Sequence, residues 1–485
     1  MRRFLHAVLI PLLITSCGLF QKEATAPRYV TILAVNDMHA ELDNFPRFAF
    51  IVDSLRAIYP DLLLVSAGDN QTGNPVNDMY QPTGWPMIAL MNEVGFDLSA
   101  VGNHEFDSNS TGFEYLSQKA NFPFLCANFK KPDDSVLQVK PTHQITLKDA
   151  TKVGFVSLLE VSKLTGLPSS HPDKVRSYTF YQPLSVVDRF KSFADSVDLA
   201  VFVNHIGFED DQVLATMLSP DRFPLIIGGH THTLVPDETS VNGVHITQAK
   251  SSLAYTTLIR VRINRDGTKQ VTSKNIPVGK EGSVDPKVKK MVHDFTTNPT
   301  LQRKVAYNPQ DLQDKAQIGY MMMDGLRNVC HTDFALINGG GIRIPSLSKG
   351  DITVMQVYRT DPFGNEALVY RLTGEQLREL IMAHCNGDKY HICYPSGFRI
   401  IYRMTPNRSC DDIELTLPHG EPLDLNRSYT VAINSYLTSA FLPKGIAPLH
   451  ATHTMTAELI VQYLSALKVV PNYQAENRIE IIEKN

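Results

Sequence analysis

From Tyr29 to about residue 270, short apolar runs alternate with amphipathic stretches, the pattern of stacked α/β units. The runs VTILAV (30–35), LLLVSA (62–67), FDLSAV (96–101), LAVFVN (199–204) and FPLIIG (223–228) are short and flanked by polar stretches, which predicts buried strands rather than helices. VHITQA and LIRVRI follow as later strands. Near residue 275 the texture changes. The stretch NIPVGKEGSVDPKVKKMVHDFTTNPTLQRKV is polar, and its middle predicts a linker helix beginning near Asp285-Pro286. After about residue 305 a second, α+β pattern begins, with FALING, ALVYRL and SYTVAI as strands. LTGEQLRELIMAH reads as a helix, in which Thr373 and Gln376 fit a capping box. These shifts place a first domain at 29–275, a linker at 276–305 and a second domain at 306–485.

The endings of the first-domain runs carry the chemistry. They are Asn36-Asp37-Met38-His39, Asp69-Asn70, Asn103-His104-Glu105, Asn204-His205 and His230-Thr231-His232. Open α/β sheets bind ligands at the carboxyl ends of their strands, so five such endings converge on one crevice. Each has an ordinary reading by itself: a hydrogen-bonded histidine, a helix cap at Asp69, an exposed loop at 230–232. Together they predict a metal centre. Polar groups crowded at the end of a buried strand are costly without a partner, and a cation supplies one. The candidate ligands are Asp37, His39, Asp69, Asn103, His205, His230 and His232, a mixed nitrogen and oxygen set without thiolate. Such a set suits Zn²⁺, Mn²⁺ or Fe²⁺ rather than a cysteine-rich structural zinc site. It exceeds what one tetrahedral ion uses, and two divalent ions sharing a carboxylate use all of it.

Composition narrows the partners. The 485 residues are 43% hydrophobic and 20% charged with a net charge of −4, and no basic run suggests a nucleic-acid surface. Met1-Arg2-Arg3, the apolar FLHAVLIPLLI and the small residues after it read as an export signal over 1–16. Ile14-Thr15-Ser16-Cys17 resembles a bacterial lipobox. That resemblance implies lipidation of Cys17, a tether over 17–28, and a protein facing the periplasm or cell surface from a membrane anchor. An ordinary signal peptide with an incidental cysteine is the alternative. No other apolar run reaches the ~18–20 residues of a membrane span. Three of the five remaining cysteines cluster around HCNGDKYHIC (384–393), which reads as a loop, stapled by a disulfide, in preference to a His/Cys metal site.

NDMH, GDN, GNHEFD, NHIG and GGHTH, in this order, resemble the calcineurin-type metallophosphoesterases, and the full GNHEFD form is similar to their 5′-nucleotidase branch. INGGGIR (337–343), PFGN (362–365) and LTGEQL resemble that branch's substrate domain. The resemblance implies an α/β fold: a four-layer β-sandwich flanked by helices, joined by the linker helix to an α+β substrate-binding domain. It assigns one metal to Asp37, His39, Asp69 and His232, and the other to Asp69, Asn103, His205 and His230. His104 then faces the phosphate and Asp107 orients it and keeps it charged, while Glu105 and Phe106 are structural. The implied chemistry is in-line attack of metal-activated hydroxide on phosphorus, turning a nucleoside phosphate into nucleoside and phosphate. In relatives the two domains rotate to bring substrate to the metals.

In the second domain the resemblance implies substrate contacts from Asn338, Gly340, Arg343 and Asn365. It also implies a pair of rings around the base, Tyr436 and Tyr394, with Phe398 the alternative to Tyr394. The chain departs from the branch at Thr438-Ser439-Ala440, which stands where relatives show a Gly-Gly-Asp turn, so the aspartate that holds the ribose is missing. Nucleotide sugars, cyclic nucleotides and sulfur esters therefore stand beside nucleoside phosphates as substrates. A catalytically silent lipoprotein that binds nucleosides or metal is the reading from another class.

Overall fold

The central predicted strands of the first domain are buried on both faces, because they lie in two sheets sandwiched between helices, while LIRVRI, nearer a sheet edge, alternates buried with more exposed positions. A computed structural model describes residues 26–279, 281–387, 392–406 and 409–483. In the first sheet, strand Arg28–Val35 runs parallel to Leu63–Ser66, which runs parallel to Leu98–Ala100. On its other edge Arg28–Val35 pairs antiparallel with Tyr255–Ile263. The second sheet centres on Leu199–Val203, parallel to both Lys152–Val156 and Leu225–Ile227. Successive side chains of a strand point to opposite faces. Ile32 and Val201 accordingly meet between the sheets, whereas Leu33 packs outward with Phe45, Phe48 and Met91 from helices Phe45–Ile58 and Trp85–Val94. Phe202 packs outward on the opposite side with Leu214 of helix Phe208–Met217. The result is helix, sheet, sheet, helix. Burial on both faces is why the runs read as continuous rather than alternating.

The linker helix is Pro286–Thr296. The Asp285 carboxylate caps it, accepting from Val288 N at 2.7 Å. Its apolar face, Val288 and Val292, is buried in a hydrophobic cluster that runs through both domains. In the second domain, strand Phe334–Asn338 lies between Cys393–Ser396, antiparallel, and Ser428–Asn434, parallel. Helix Gly374–Gly387 begins at the expected capping box: Gln376 N donates to Thr373 Oγ1 at 3.1 Å, and Thr373 N donates to Gln376 Oε1 at 2.9 Å.

Two expectations change. The Asn386-Gly387 turn of HCNGDKYHIC is instead the last turn of that helix, and residues 388–391 lie outside the described residues, as does Cys17. Among the described residues no disulfide staples the segment. Cys126, Cys330, Cys385, Cys393 and Cys410 are not joined in disulfides, and Cys393 Sγ lies 3.3 Å from His384 Nδ1. Among the described residues no helix is long and apolar enough to cross a membrane.

Candidate active site

All seven candidate ligands lie at one end of the two-sheet sandwich, and their backbones turn sharply to reach it. Asp37, His39, Asp69, His230 and His232 adopt positive φ, between 49° and 81°. For residues with a Cβ this costs on the order of 1–3 kcal/mol each and persists only where the surroundings enforce it. Here neighbouring loops lock one another: Asp37 N donates to Gly68 O at 2.9 Å and His39 N to Asp69 O at 3.0 Å. Gly102 permits the closest approach, since a Cβ there would lie 2.2 Å from Asp69 Oδ1.

Each carboxylate spends one oxygen on the protein and turns the other inward. Asp37 Oδ2 accepts from Asn36 Nδ2 at 2.6 Å and from His230 N at 2.9 Å. Its Oδ1 is buried without a hydrogen-bond partner and lies 3.2 Å from His232 Nε2. Asp69 Oδ1 accepts from His104 N at 2.9 Å, leaving Oδ2 at 3.0 Å from His205 Nε2. That pair is close yet not aligned as a hydrogen bond, so His205 Nε2 is also a buried nitrogen without one. His205 Nδ1 sits 2.7 Å from Ala67 O and His39 Nδ1 3.1 Å from Thr72 O, which fixes both tautomers and points both Nε2 lone pairs into the crevice. His39 Nε2 faces His232 Nε2 at 3.1 Å. The donor atoms of Asp37, His39 and His232, and those of Asp69, His205 and His230, form two sets within 4.8 Å, and His39, Asp69 and His104 form a third that overlaps them. Asn103 Oδ1 joins the second, 3.1 Å from His230 Nδ1. Orphaned oxygens and nitrogens aimed at common points fit divalent cations.

The charges agree. Burial pushes the Asp37 and Asp69 carboxyls up, but the surrounding imidazoles hold both well below the usual carboxylate range. Burial, helped by Arg343, depresses His39 to about 3, so it is a neutral donor. Burial also works against a proton on His205, yet Asp69 and Asp37 raise it to about 9, and a bound cation would displace that proton.

His104 belongs to neither of the first two sets, and one of its ring nitrogens is already taken. It lies on the turn Asn103–Ser108, where a three-residue spacing brings its Nδ1 to 2.7 Å from Asp107 Oδ2. Burial alone would lower the His104 pKa, but Asp69 and Asp107 outweigh it and raise it. Asp107 in turn is lowered, burial being overcome by His104 and Lys174. A raised pKa means that imidazolium persists to higher pH than in a free histidine and is lost as pH rises through that raised value. Asp107→Asn removes the adjoining charge, so the alkaline limb of the kcat profile moves to lower pH. A pH–rate profile of the variant checks this, and an unmoved limb would remove Asp107 from that role.

The second domain closes the crevice into a cleft. Asn338, Gly340, Arg343, Asn365 and Tyr436 line it opposite Asp69, Asn103, His104, Asp107, His230 and His232. Tyr394 does not reach it. The strand Cys393–Ser396 is buried on both faces, and Tyr394 turns toward helix Lys315–Cys330, its ring centroid 6.4 Å from that of Tyr320. Phe398 is buried in the second-domain core. The ring at the cleft beside Tyr436 is Phe363, stacked on His104 at 5.5 Å and 25° from parallel. Ser169, His171 and Lys174 complete the wall.

The calcineurin-like phosphoesterase profile matches residues 30–234, and the profile for the 5′-nucleotidase C-terminal domain matches 294–441. The chain belongs to the calcineurin-like phosphoesterases of 5′-nucleotidase type. This is a family of phosphoric ester hydrolases that uses a dimetal centre. Bovine 5′-nucleotidase (Bos taurus) is 25% identical over 96% of this chain and 93% of its own length. Endonuclease YhcR of Bacillus subtilis is 25% identical over 96% of this chain and 42% of its own length. The chain thus spans less than half of that relative's length, and 32% of the length of the trifunctional nucleotide phosphoesterase protein YfkN of B. subtilis, to which it is 26% identical over 84% of this chain. Its fold superposes on the 5′-nucleotidase precursor of Thermus thermophilus with a TM-score of 0.83, covering 94% of this chain and all of that one, at 24% identity.

Two residues hold this phosphoesterase site together: Glu105, in the structural part the resemblance implies, and Gln248, which gave no signal in the sequence. Glu105 sits inside GNHEFD, and its buried carboxylate accepts from Gly102 N at 2.6 Å, Asn70 N at 2.8 Å, and Asp69 N and Asn70 Nδ2 at 3.0 Å. It stitches the Asp69 loop to the Asn103 loop, although burial and the Asp69 charge push it up to about 7. Gln248 receives the Thr231 hydroxyl at 3.0 Å and donates to Gly229 O at 2.7 Å, which holds the 228–232 turn. Nothing in a glutamine after a strand announces that task.

Proposed function

We propose that this phosphoesterase hydrolyses phosphate monoesters, with 5′-nucleotides the foremost class, using two divalent ions. One ion would be held by Asp37, His39, Asp69 and His232, and the other by Asp69, Asn103, His205 and His230. Bound there, such ions polarise phosphoryl oxygens and lower the pKa of water at neutral pH. The chain's own residues do the rest. Asp107 holds His104 with its Nε2 toward the cleft, where an imidazolium donates a hydrogen bond to a phosphoryl or departing oxygen. Arg343 offers a charged fork from the opposite wall. The observation that carries this reading is the meeting of both ligand sets, the His104–Asp107 pair and Arg343 in one cleft. Product analysis on metal-loaded protein tests it: free phosphate from AMP, UMP and an aryl phosphate, against a phosphate monoester from a nucleotide sugar or a cyclic nucleotide. A silent binding protein would release product from none.

A second reading, a different leaving group, draws support from one feature. Residues Thr438-Ser439-Ala440 continue helix Ser435–Phe441, and the Thr438 hydroxyl donates to Ser435 O at 3.1 Å. A helix therefore occupies the place of the ribose-binding turn, and a nucleotide sugar, cyclic nucleotide or sulfur ester becomes the competing substrate. Tyr436→Ala separates the two. If the ring stacks on a base, KM rises by about tenfold for AMP, the ~1–3 kcal/mol of a base–aromatic stack, and stays level for the aryl phosphate. Equal changes for both would dismiss base stacking. Export and lipidation at Cys17 complete the proposal, resting on the basic and apolar segments before it. Mass analysis of the mature N-terminus decides them.

A further inference from the structure

Two groups outside both ligand sets converge on the His104–Asp107 pair from opposite domains. Phe363 belongs to the second-domain loop between helix Val354–Thr360 and strand Glu366–Thr373, and its ring stacks on the His104 imidazole at 5.5 Å. Lys174 belongs to the short first-domain helix Pro172–Val175. Its Nζ lies 4.0 Å from Asp107 Oδ1 and donates to the Phe363 carbonyl at 3.2 Å. One residue thus touches both members of the pair, the imidazole through its ring and the carboxylate through a bridging ammonium. Both anchors are firm. The Thr456 hydroxyl donates to the Asp361 carboxylate at the root of the loop, and Gly364 takes φ 63° to aim it. Segment 169–174 is tied to the metal loop, where Asn103 Nδ2 donates to Ser169 O at 3.0 Å and the Ser170 hydroxyl donates to Asn103 O.

We infer that Phe363 and Lys174 are positioning residues that clasp the His104–Asp107 pair into its working orientation when the second domain is seated on the first. The ring covers one face of the imidazole, which restricts its rotation and excludes water from that side. The ammonium beside Asp107 Oδ1 favours the carboxylate orientation that presents Oδ2 to His104. Separation of the domains removes both effects together, since both pass through Phe363. The pair is then fully assembled only around an enclosed substrate, which makes chemistry conditional on closure.

The inference rests on the phosphomonoesterase reading, and its test separates the two. In Lys174→Met and Phe363→Leu, kcat falls about 10- to 100-fold for both AMP and an aryl phosphate, the range for a slightly misplaced catalytic group. KM changes by less than about twofold, because uniform binding is untouched. Lys174→Arg and Phe363→Tyr, which keep the charge and the ring, recover most of the rate. The double variant is no slower than the worse single one, as expected of groups acting as a unit. Independently of turnover, Phe363→Leu shifts the His104 ring resonances of ¹³C-histidine-labelled protein as the ring current disappears. A rise in KM at constant kcat would make these residues substrate contacts, and multiplicative effects would make them independent; either overturns the clasp. So would unmoved His104 resonances. Absence of phosphate release by the wild-type protein would count against the phosphomonoesterase reading, while the resonance shift still reports the contact.

Discussion

Alanine at position 104 lowers kcat by about two to four orders of magnitude, the range for a lost acid or electrostatic stabiliser, and leaves two metals bound per chain. The geometry separates these outcomes. The proposed ligand assignment leaves His104 outside both sets: its Nδ1 is taken by Asp107 at 2.7 Å, and its Nε2 stands 3.9 Å from Asp69 Oδ2. The link that orders Asp69 comes from the His104 backbone N–H, which alanine retains. Removing the imidazole therefore removes a donor to the reacting phosphoryl group and spares the cradle. Metal analysis alongside kcat checks the claim. Loss of metal in the variant would make His104 a ligand, and wild-type turnover would leave it without a catalytic part.

Stripping the metal is the second large effect. A chelator abolishes turnover and lowers the melting temperature by on the order of 5–10 °C. A cation at a hundredfold excess over its Kd contributes about 2.7 kcal/mol, and each kcal/mol moves the melting point of a large domain by about 2–4 °C. The cause lies in the orphaned Asp37 Oδ1 and His205 Nε2, and in the two imidazole nitrogens 3.1 Å apart that a cation would reconcile. Mn²⁺ or Zn²⁺ restores both activity and melting point. Affinity weakens as pH falls, because His205, raised to about 9, must lose its proton for a cation to bind. Asp69→Asn, which weakens the shared carboxylate, shows little activity and a diminished metal-dependent rise in melting temperature. Unchanged turnover and stability after chelation would refute the metal centre.

How much of this was legible in the chain depends on how local the determining physics is. A strand buried on both faces needs an uninterrupted apolar run, so VTILAV, LLLVSA and LAVFVN declared themselves. The polar endings stood out because such groups are costly at the mouth of a core unless something pairs them. Caps were equally local: Asp285 before its helix and Thr373 with Gln376 both formed as their spacing predicts.

The substrate wall was not local. Tyr394 and its neighbours lie in a strand covered on both sides, where alternation no longer reveals which face meets a ligand. Tyr394 went to the helix side, and Phe363, a loop residue of the other domain, came to rest on His104. By itself the sequence determined the buried strands and the order of the polar endings that carry the candidate ligands, since periodicity and burial cost act within a few residues, whereas the two-sheet frame was legible only through the family resemblance. Only the tertiary structure decided which oxygen of Asp37 and Asp69 faces inward, which nitrogen of His39 and His205 is exposed to a metal, and which rings and cations close the cleft. Those depend on contacts between segments far apart in the chain, fixed when the two domains pack.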